Sequence, residues 1–318
     1  MNDSVVSKIL LATDFSDSAV LAQVYAEYLA IAFKASVVIL HVSEPPRTGV
    51  PEESDIQEQL QRLQDSMNAR AVSVSIRRSR GNPGEHILAA AKDMGTDLIV
   101  MGLQGHTHVP YGLLGATAHT VTANGPCPVL TVPLPMESSS RCELTKPEAV
   151  EVRRIFAPVD FSRPSLDSLE CAILLAHGLR AALVLAHVLE PAYVDWDLQR
   201  MQDAAQMRDE WEARLGDLTG VMKSLGLSTS YEIRTGFPAD SILAGALQHR
   251  CDLIVMGTHG RRGREGRHVG SVAEAVLKQA TCPILTVKEP KFVHVGRPAI
   301  QAVLSQEHDH GAGEDAKA

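Results

Sequence analysis

The chain of 318 residues contains an internal repeat, and this repeat limits the folds that it can adopt. The peptide DLIVMG occurs at residues 97–102 and again at 252–257, each time followed by two further glycines at the same spacing. The triplet Asp-Phe-Ser recurs 146 positions apart, whereas Gly81 and Gly236 lie 155 positions apart. The nine-residue difference predicts an insertion in the connection before Gly236. Two copies of ordinary domain size predict two domains in tandem rather than a solenoid.

The apolar runs of each copy predict the fold class. Runs such as VVILHV and LIVMG are apolar throughout, as in parallel strands that helices cover on both faces. Helical patterns separate these runs, so we expect an α/β fold with two tandem doubly wound, Rossmann-like parallel-sheet domains that bind ligands at the carboxyl ends of their strands. In the second copy we expect strands at 154–158, 182–188, 228–234, 253–256 and 284–287. We expect helices at 165–180, 196–225, 238–249 and 271–279.

Shifts in composition mark the expected domain boundaries. We expect one domain over residues 1–135, a linker rich in proline, serine and charge over 136–152, and a second domain over 153–290. The remaining residues, 291–318, end in the polar peptide EHDHGAGEDAKA, and there we expect disorder.

Charge, cysteine content and hydropathy exclude several classes of protein. The formal net charge of -8 argues against a general nucleic-acid binder. The five cysteines form no CxxC pair, which is neither a disulfide framework nor a zinc site and is typical of the reducing cytosol. The apolar stretch 171–189 contains His177, Arg180 and His187, and it aligns with a helix and a strand of the first copy. Since the N-terminus also lacks a signal-peptide pattern, we expect a cytoplasmic protein with no nucleic-acid or membrane partner.

The glycines of each copy follow a strand and end where a helix begins, an arrangement typical of phosphate binding. We expect Gly257 and Gly260 to adopt a left-handed backbone conformation, where a Cβ atom would cost about 1–2 kcal/mol and would also block close approach of the backbone. Gly270 precedes Ser271 at the predicted helix start, where free amides and a hydroxyl would meet an anion. The alternative is that these glycines are turn residues with no ligand.

The loop between the second and third glycines is basic in the second copy. Its arginines are Arg261, Arg262, Arg264 and Arg267. Guanidinium groups bind phosphate in bidentate fashion, so four of them in an acidic protein favour a triphosphate ligand. The alternative is a solvated charged loop.

The order of these motifs resembles the universal stress protein family, in its tandem two-domain form. The resemblance covers residues 8–133 and 154–288, and it includes the strands that follow Cys127-Pro128 and Cys282-Pro283. It implies a five-stranded parallel sheet in each domain and ATP as the ligand of the nucleotide-binding members. It also implies that the two domains pair through their last strands as a pseudo-dimer within one chain. Further association of two chains as a homodimer is left open.

The resemblance further implies which residues of the second copy hold the nucleotide. Asp160 matches an acidic position near the ribose or near a nucleotide-bound divalent ion such as Mg²⁺, and Val188 matches a position whose backbone meets adenine. The implied nucleotide-binding set is Pro158, Asp160, Val188, Met256, Gly257, Gly260, Arg261, Gly270, Ser271 and Val272. We expect ATP or another adenine nucleotide as the cofactor, and no metal site formed by the protein alone.

The first copy keeps only part of this set. Its equivalents are Asp14, Val42, Gly102, Gly105 and Gly115. Ala116 stands in the place of Ser271, and the loop 106–114 contains no arginine, so we expect a degenerate site there. His41 and His187 recur in register at strand ends, where a hydrogen-bonded structural histidine is favoured over a catalytic one.

The function that these features favour is a cytoplasmic stress-response protein that binds ATP in its second domain, with a regulatory or protective role. No Walker A, GxSxG or HExxH motif is present in the sequence, and no nucleophile–base pair stands out. We therefore favour a protein that is not an enzyme. The alternatives are a slow ATP hydrolase and an interaction or small-ligand module that binds no nucleotide.

Overall fold

The computed structural model describes residues 6–43, 53–105, 114–134, 150–190, 198–260 and 268–288. The first half contains β1 (Lys8–Ala12), α1 (Asp17–Phe33), β2 (Ser36–Ser43), α2 (Glu53–Ala69), β3 (Val74–Arg80), α3 (Pro83–Asp93), β4 (Leu98–Gly102), α4 (Ala116–Asn124) and β5 (Val129–Val132). The second half contains β6 (Arg154–Pro158), α5 (Arg163–Leu179), β7 (Ala182–Leu189), α6 (Leu198–Ser224), β8 (Thr229–Thr235), α7 (Pro238–Gln248), β9 (Leu253–Gly257), α8 (Ser271–Gln279) and β10 (Ile284–Val287). The strands and helices predicted for the second half are all present, with ends that differ by at most two residues.

The strands form one sheet that runs through both halves. Its order is β3-β2-β1-β4-β5-β10-β9-β6-β7-β8, so each half repeats the same arrangement about the centre. Pairing is parallel within each half, as predicted from the apolar runs. Among the described strands only β5 and β10 pair in antiparallel fashion, with Leu130 opposite Leu285. The pairing of the two halves through their last strands, which the family resemblance implied, is therefore present within the chain.

Helices cover both faces of the sheet. The helices α1, α2, α5 and α6 share one apolar cluster that extends across both halves. The other face is covered by α3 and α4 in the first half and by α7 and α8 in the second. The two halves also meet between α1 and α5, where a Cβ atom on Gly178 would lie 2.9 Å from Cζ of Phe33. Burial on both faces explains why the strands are apolar throughout rather than alternating.

The repeated Asp-Phe-Ser triplet sets the start of two equivalent helices. Ser16 is the N-cap residue of α1 and Ser162 is the N-cap residue of α5. The helix α5 begins at Arg163 rather than at the predicted residue 165, because Pro164 lies in its first turn, where a missing N–H costs nothing.

The predicted insertion does not lengthen a loop. The helix α2 has 17 residues, whereas α6 has 27. The positions of Leu60 and Met67 in α2 correspond to Leu215 and Met222 in α6 at the 155-residue spacing. The two helices therefore match at their carboxyl ends, and the extra residues extend the amino-terminal part of α6. The insertion therefore lies between β7 and Gly236, as the repeat spacing predicted, and within the helix that was predicted over residues 196–225. A helix accommodates additional turns without changing the strands that follow it.

An ion pair between a buried glutamate and a partly exposed arginine joins α1 to the end of α2, and it provides a test of the packing. Glu27 is only 1% exposed, and its Oε1 atom lies 2.9 Å from a guanidinium nitrogen of Arg70. Arg70→Leu should lower the free energy of unfolding by about 2 kcal/mol, because it removes this cation from a buried carboxylate. The double variant Glu27→Leu/Arg70→Leu should lose less, and Arg62→Leu, which removes an exposed pair with Glu58, should change stability by about 0.5 kcal/mol or less. Urea unfolding measures all three, and equal losses for Arg70→Leu and Arg62→Leu would contradict the prediction.

The remaining expectations from the sequence concern membrane helices, the cysteines, the linker and the C-terminal tail. Within the described ranges, no helix is both long enough and apolar enough to cross a bilayer. Cys127, Cys171, Cys251 and Cys282 are free thiols, and Cys142 lies outside the described residues. The predicted tail 291–318 also lies outside them, as does the predicted linker except for residues 150–152.

Candidate functional site

An aspartate follows the first strand of each half and is fixed by its own loop. The backbone N–H of Ser162 donates to Oδ1 of Asp160 at 2.9 Å, and the Ser162 hydroxyl donates to the same oxygen at 2.6 Å. Ser16 makes the same two hydrogen bonds to Asp14, at 3.0 and 2.6 Å. Both carboxylates therefore have one oxygen held by the chain and lie at the carboxyl edge of the sheet.

The glycine loop meets this aspartate in each half. A Cβ atom on Gly260 would lie 2.6 Å from Oδ2 of Asp160, and one on Gly105 would lie 2.8 Å from Oδ2 of Asp14. The glycines after β4 and β9 thus approach the loops after β1 and β6. The structure brings together two elements that are about 100 residues apart in sequence, at the point where the strand order reverses.

Of the two reasons predicted for glycine at these positions, the structure supports close approach of the backbone and not a left-handed conformation. The described glycines with positive φ are Gly81, Gly95, Gly226 and Gly236, so the left-handed conformation expected for Gly257 and Gly260 was wrong. Close approach of the backbone requires glycine instead. A Cβ atom on Gly257 would lie 2.9 Å from the carbonyl oxygen of Pro164, and one on Gly102 would lie 2.8 Å from the backbone nitrogen of Ala19. These two glycines admit the first turn of the neighbouring helix.

The start of the last helix is similar in both halves. Gly270 is the N-cap residue of α8, and its N–H donates to the Thr258 carbonyl at 2.8 Å. Gly115 is the N-cap residue of α4 and donates to the Leu103 carbonyl at 3.3 Å. A helix start presents amide groups without intrahelical partners, together with the positive end of the helix dipole. The exposed Ser271 in α8, which Ala116 replaces in α4, is a difference in side chain and not in backbone.

An acidic side chain near the start of α8 is offset by a lysine. Glu274 lies in the first turn, and its Oε1 atom is 2.6 Å from Nζ of Lys278. The hydrogen bond from Lys278 lowers the pKa of Glu274, and the charge of Lys278 acts in the same direction. Glu274 is therefore ionised at neutral pH, but its charge is paired and opposes an incoming anion less than a lone carboxylate would.

The other residues of the implied set lie along the same edge of the sheet. Pro158 is the last residue of β6, and Met256 and Gly257 end β9. Val188 lies one residue before the end of β7, and the half-buried Val272 is the second residue of α8. In the first half, Val42 in β2 occupies the position that Val188 has in β7.

The two recurrent histidines are hydrogen-bonded to the backbone near their strand ends, as predicted. Nδ1 of His187 lies 2.7 Å from the Val159 carbonyl, and Nδ1 of His41 lies 2.9 Å from the Thr13 carbonyl. Each histidine therefore ties the end of one strand to the loop that carries the aspartate.

The phenylalanine of the Asp-Phe-Ser triplet was missed by sequence reasoning. Phe15 and Phe161 have φ values of 64° and 60°, in the left-handed region that costs a bulky residue roughly 1–2 kcal/mol. Such strain persists where surrounding contacts impose it, often at functional sites. The signal that could have found these residues is the repeat of the triplet itself.

Part of the predicted site lies outside the described residues. This applies to Arg261 and to the other three arginines of the loop, and in the first half to residues 106–113. In the described part of the chain, no three histidine, cysteine, aspartate or glutamate side chains are grouped as metal ligands.

Similarity to known proteins agrees with the repeat. A sequence profile of the universal stress protein family matches residues 6–133 and 151–288. A universal stress protein of Methanocaldococcus jannaschii is 34% identical over 146 residues, which are 44% of this chain and 84% of that protein. A universal stress protein of Thermus aquaticus is 35% identical over 119 residues, which are 36% of this chain and 80% of that protein.

A solved structure matches both halves at once. The crystal structure of a universal stress protein from Archaeoglobus fulgidus has a TM-score of 0.66 at 20% identity, and the match covers 90% of this chain and 98% of that chain. At this identity the likeness concerns the fold, and the profile supplies the family. The chain therefore belongs to the universal stress protein family, with two copies of the family's domain in tandem.

Proposed function

We propose that this chain binds ATP, or another adenine nucleotide, in its second domain. In this proposal the chain acts as a cytoplasmic stress-response protein with a regulatory or protective role. The observation that carries the proposal is the meeting of the Asp160 carboxylate with Gly260, beside the start of α8. A carboxylate next to a helix start offers an acceptor for ribose hydroxyls or for a nucleotide-bound Mg²⁺, and donors for phosphate.

The side chains favour the second domain over the first. The described backbone around Asp14, Gly105 and Gly115 matches that around Asp160, Gly260 and Gly270, so geometry alone does not distinguish the two. Only the second domain has a hydroxyl on the residue directly after the N-cap glycine, Ser271 in place of Ala116, and arginines in the preceding loop. In the proposed complex, Arg261 and its three neighbours bind phosphates, and the backbone at Val188 contacts adenine. Bound nucleotide would then stabilise the folded chain by an amount that rises with the logarithm of the nucleotide concentration, so that occupancy acts as a signal and the nucleotide need not be consumed.

The first test is the nucleotide content and stoichiometry of the purified protein. Denatured extracts should release ATP, ADP or AMP, and calorimetry on nucleotide-free protein should give one site per chain. Two equivalent sites per chain would contradict the assignment to the second domain. Absence of any adenine-nucleotide binding would favour the interaction-module alternative, and sustained turnover of ATP would favour the hydrolase.

The second test addresses the arginines and the hydroxyl. Replacement of Arg261, Arg262, Arg264 and Arg267 by alanine should weaken ATP binding more than AMP binding, because each charge-assisted contact to phosphate contributes about 1–3 kcal/mol. Added salt should reduce the difference, since exposed charges are screened over about 10 Å at 0.1 M. Ser271→Ala should weaken ATP binding further, and Ala116→Ser is its matched control in the first domain. If the fourfold variant binds ATP at low salt as tightly as the parent, the loop does not bind the phosphates.

A further inference from the structure

A stack of aromatic rings and a guanidinium group lies behind the loop that carries Asp160. The rings of Phe161 and Trp211 are stacked with centroids 4.9 Å apart, and the ring of His187 lies 4.4 Å from that of Trp211. The guanidinium of Arg214 lies over both Phe161 and Trp211, at 4.3 and 4.6 Å from their centroids. We call these four residues, Phe161, His187, Trp211 and Arg214, the second-half stack.

The stack contacts the candidate site through two of its members. Phe161 lies between Asp160 and Ser162, and its backbone has a left-handed conformation. Ser162 is the residue that donates to the Asp160 carboxylate. His187 precedes Val188, and its Nδ1 atom bonds to the carbonyl of Val159. The stack therefore holds the Asp160 loop and the end of β7 together, on the face of the sheet that α5 and α6 cover. The other two members of the stack, Trp211 and Arg214, belong to α6 and are not adjacent in sequence to any residue of the candidate site.

The first half has only the inner part of this arrangement. Phe15 stacks on His41 with centroids 5.2 Å apart. At the 155-residue spacing that aligns α2 with α6, the positions of Trp211 and Arg214 correspond to Ile56 and Gln59. Ile56 is buried but offers no ring, and a glutamine has no cation for an aromatic face. The two halves thus have the same strained phenylalanine, but among the described residues an indole and a guanidinium support it in the second half alone.

We propose that Trp211, together with Arg214, is a positioning residue of the second-domain site: it holds Phe161 in its strained conformation and thereby fixes the Asp160 carboxylate against Gly260. The expected effect of these two residues on ligand affinity rests on the proposed function. Their effect on the order of the Asp160 loop does not, because it is present without ligand. Aromatic stacking and cation–π contacts favour one arrangement of the rings. The Asp160 loop is therefore preorganised before the ligand binds. The stack then adds a second reason, besides the arginine loop, why the second domain is the one that binds.

The ligand-free protein provides the first test. The variant Trp211→Ile/Arg214→Gln gives the second half the residues of the first. Hydrogen exchange of the Ser162 amide, which bonds to Asp160, should become about tenfold faster as the loop opens locally. The equivalent Ser16 amide serves as an internal control and should not change, nor should the Leu183 amide, which bonds to Ser228 in the sheet. Unchanged exchange at Ser162 would overturn the positioning role, whether or not the protein binds nucleotide.

The second test separates positioning from general stability. By calorimetry, Trp211→Ile/Arg214→Gln should bind ATP roughly fivefold to twentyfold more weakly, the range expected from losing an aromatic pair and a cation–π contact. In an Asp160→Asn background the same substitutions should cost much less, because the group that the stack positions has already been altered. The single variant Trp211→Phe, which retains an aromatic ring, should keep most of the ATP affinity of the parent. Equal losses in both backgrounds would mean that the stack does not act through Asp160.

The matched control lies in the first half. Ile56→Trp/Gln59→Arg leaves the second-half stack intact and should leave ATP affinity at the single site unchanged. If the parent binds no adenine nucleotide at all, the proposed function fails, while the exchange experiment still decides whether the stack orders the Asp160 loop.

Discussion

Ile284→Asp should lower the free energy of unfolding by roughly 3–5 kcal/mol, because it leaves an uncompensated carboxylate in a buried position. Ile284 is 0% exposed, and it lies opposite Thr131 in the antiparallel pair that joins the two halves. Val129→Asp should have a similar effect from the other side of this seam, where Val129 lies opposite Thr286. The control Ile284→Val removes one methylene and should cost only about 0.5–1.5 kcal/mol.

Urea unfolding followed by both fluorescence and circular dichroism would measure these losses. If the seam joins the halves into one cooperative unit, the aspartate variants should also separate one transition into two. Aspartate variants that unfold at the parent's midpoint, with a single transition, would show that the halves do not depend on the seam.

The seam is nearly symmetric, and this has a consequence for assembly. The hydroxyl of Thr131 donates to the Ile284 carbonyl at 3.3 Å, and the hydroxyl of Thr286 donates to the Val129 carbonyl at 3.2 Å. The last strand of each half thus has its free edge covered by the other half. An apolar edge strand left open would be prone to pairing with another chain. Within the described sheet the outer strands are β3 and β8, so any homodimer must use a surface other than β5 or β10.

Much of the fold could be predicted from the sequence because its determinants are local. The apolar runs identify strands that are buried on both faces, and the repeat shows that whatever one half forms, the other forms too. The length of α6 could also be predicted, since its helical pattern runs over residues 196–225, although the repeat spacing by itself shows only how many residues are inserted and not which element contains them. The strained backbone of Phe161 was missed, because a phenylalanine carries no sequence signal for positive φ as a glycine does.

The candidate site shows a similar division. The glycine spacing predicted where the chain needs close approach of the backbone, and the structure has such approaches at Gly102, Gly257 and Gly260. What approaches each glycine depends on tertiary structure, so the sequence could not distinguish a helix turn from an aspartate or a phosphate. The contact of Trp211 with Phe161 joins residues 50 positions apart and has no counterpart in the first copy, so the repeat could not reveal it.

The glycines of the loop should therefore separate into two groups when they are replaced. Gly257→Val and Gly102→Val should each lower the free energy of unfolding by about 3 kcal/mol, because overpacking against backbone atoms cannot be relieved by a side-chain rotation. At Gly257 the obstacle is the Pro164 carbonyl, and at Gly102 it is the backbone of Ser18 and Ala19. A loss of nucleotide binding in either variant would thus report on folding rather than on phosphate contacts.

Gly260→Ala is the variant that should affect the site and not the fold. Among the described residues other than its chain neighbours, the one atom within 3.5 Å of the new Cβ would be Oδ2 of Asp160, at 2.6 Å, so the carboxylate must move. We expect ATP affinity to fall by about tenfold, the scale of one displaced charge-assisted hydrogen bond, with little change in the urea midpoint. Gly105→Ala makes the same change beside Asp14 and should leave ATP affinity unaltered. Gly220→Val, in α6 with no atom within 4 Å of its Cβ position, should change stability by about 0.5 kcal/mol or less. If Gly257→Val is as stable as this control, close approach of the helix is not the reason for glycine there, and if Gly260→Ala unfolds early, the loop supports the fold as well as the site.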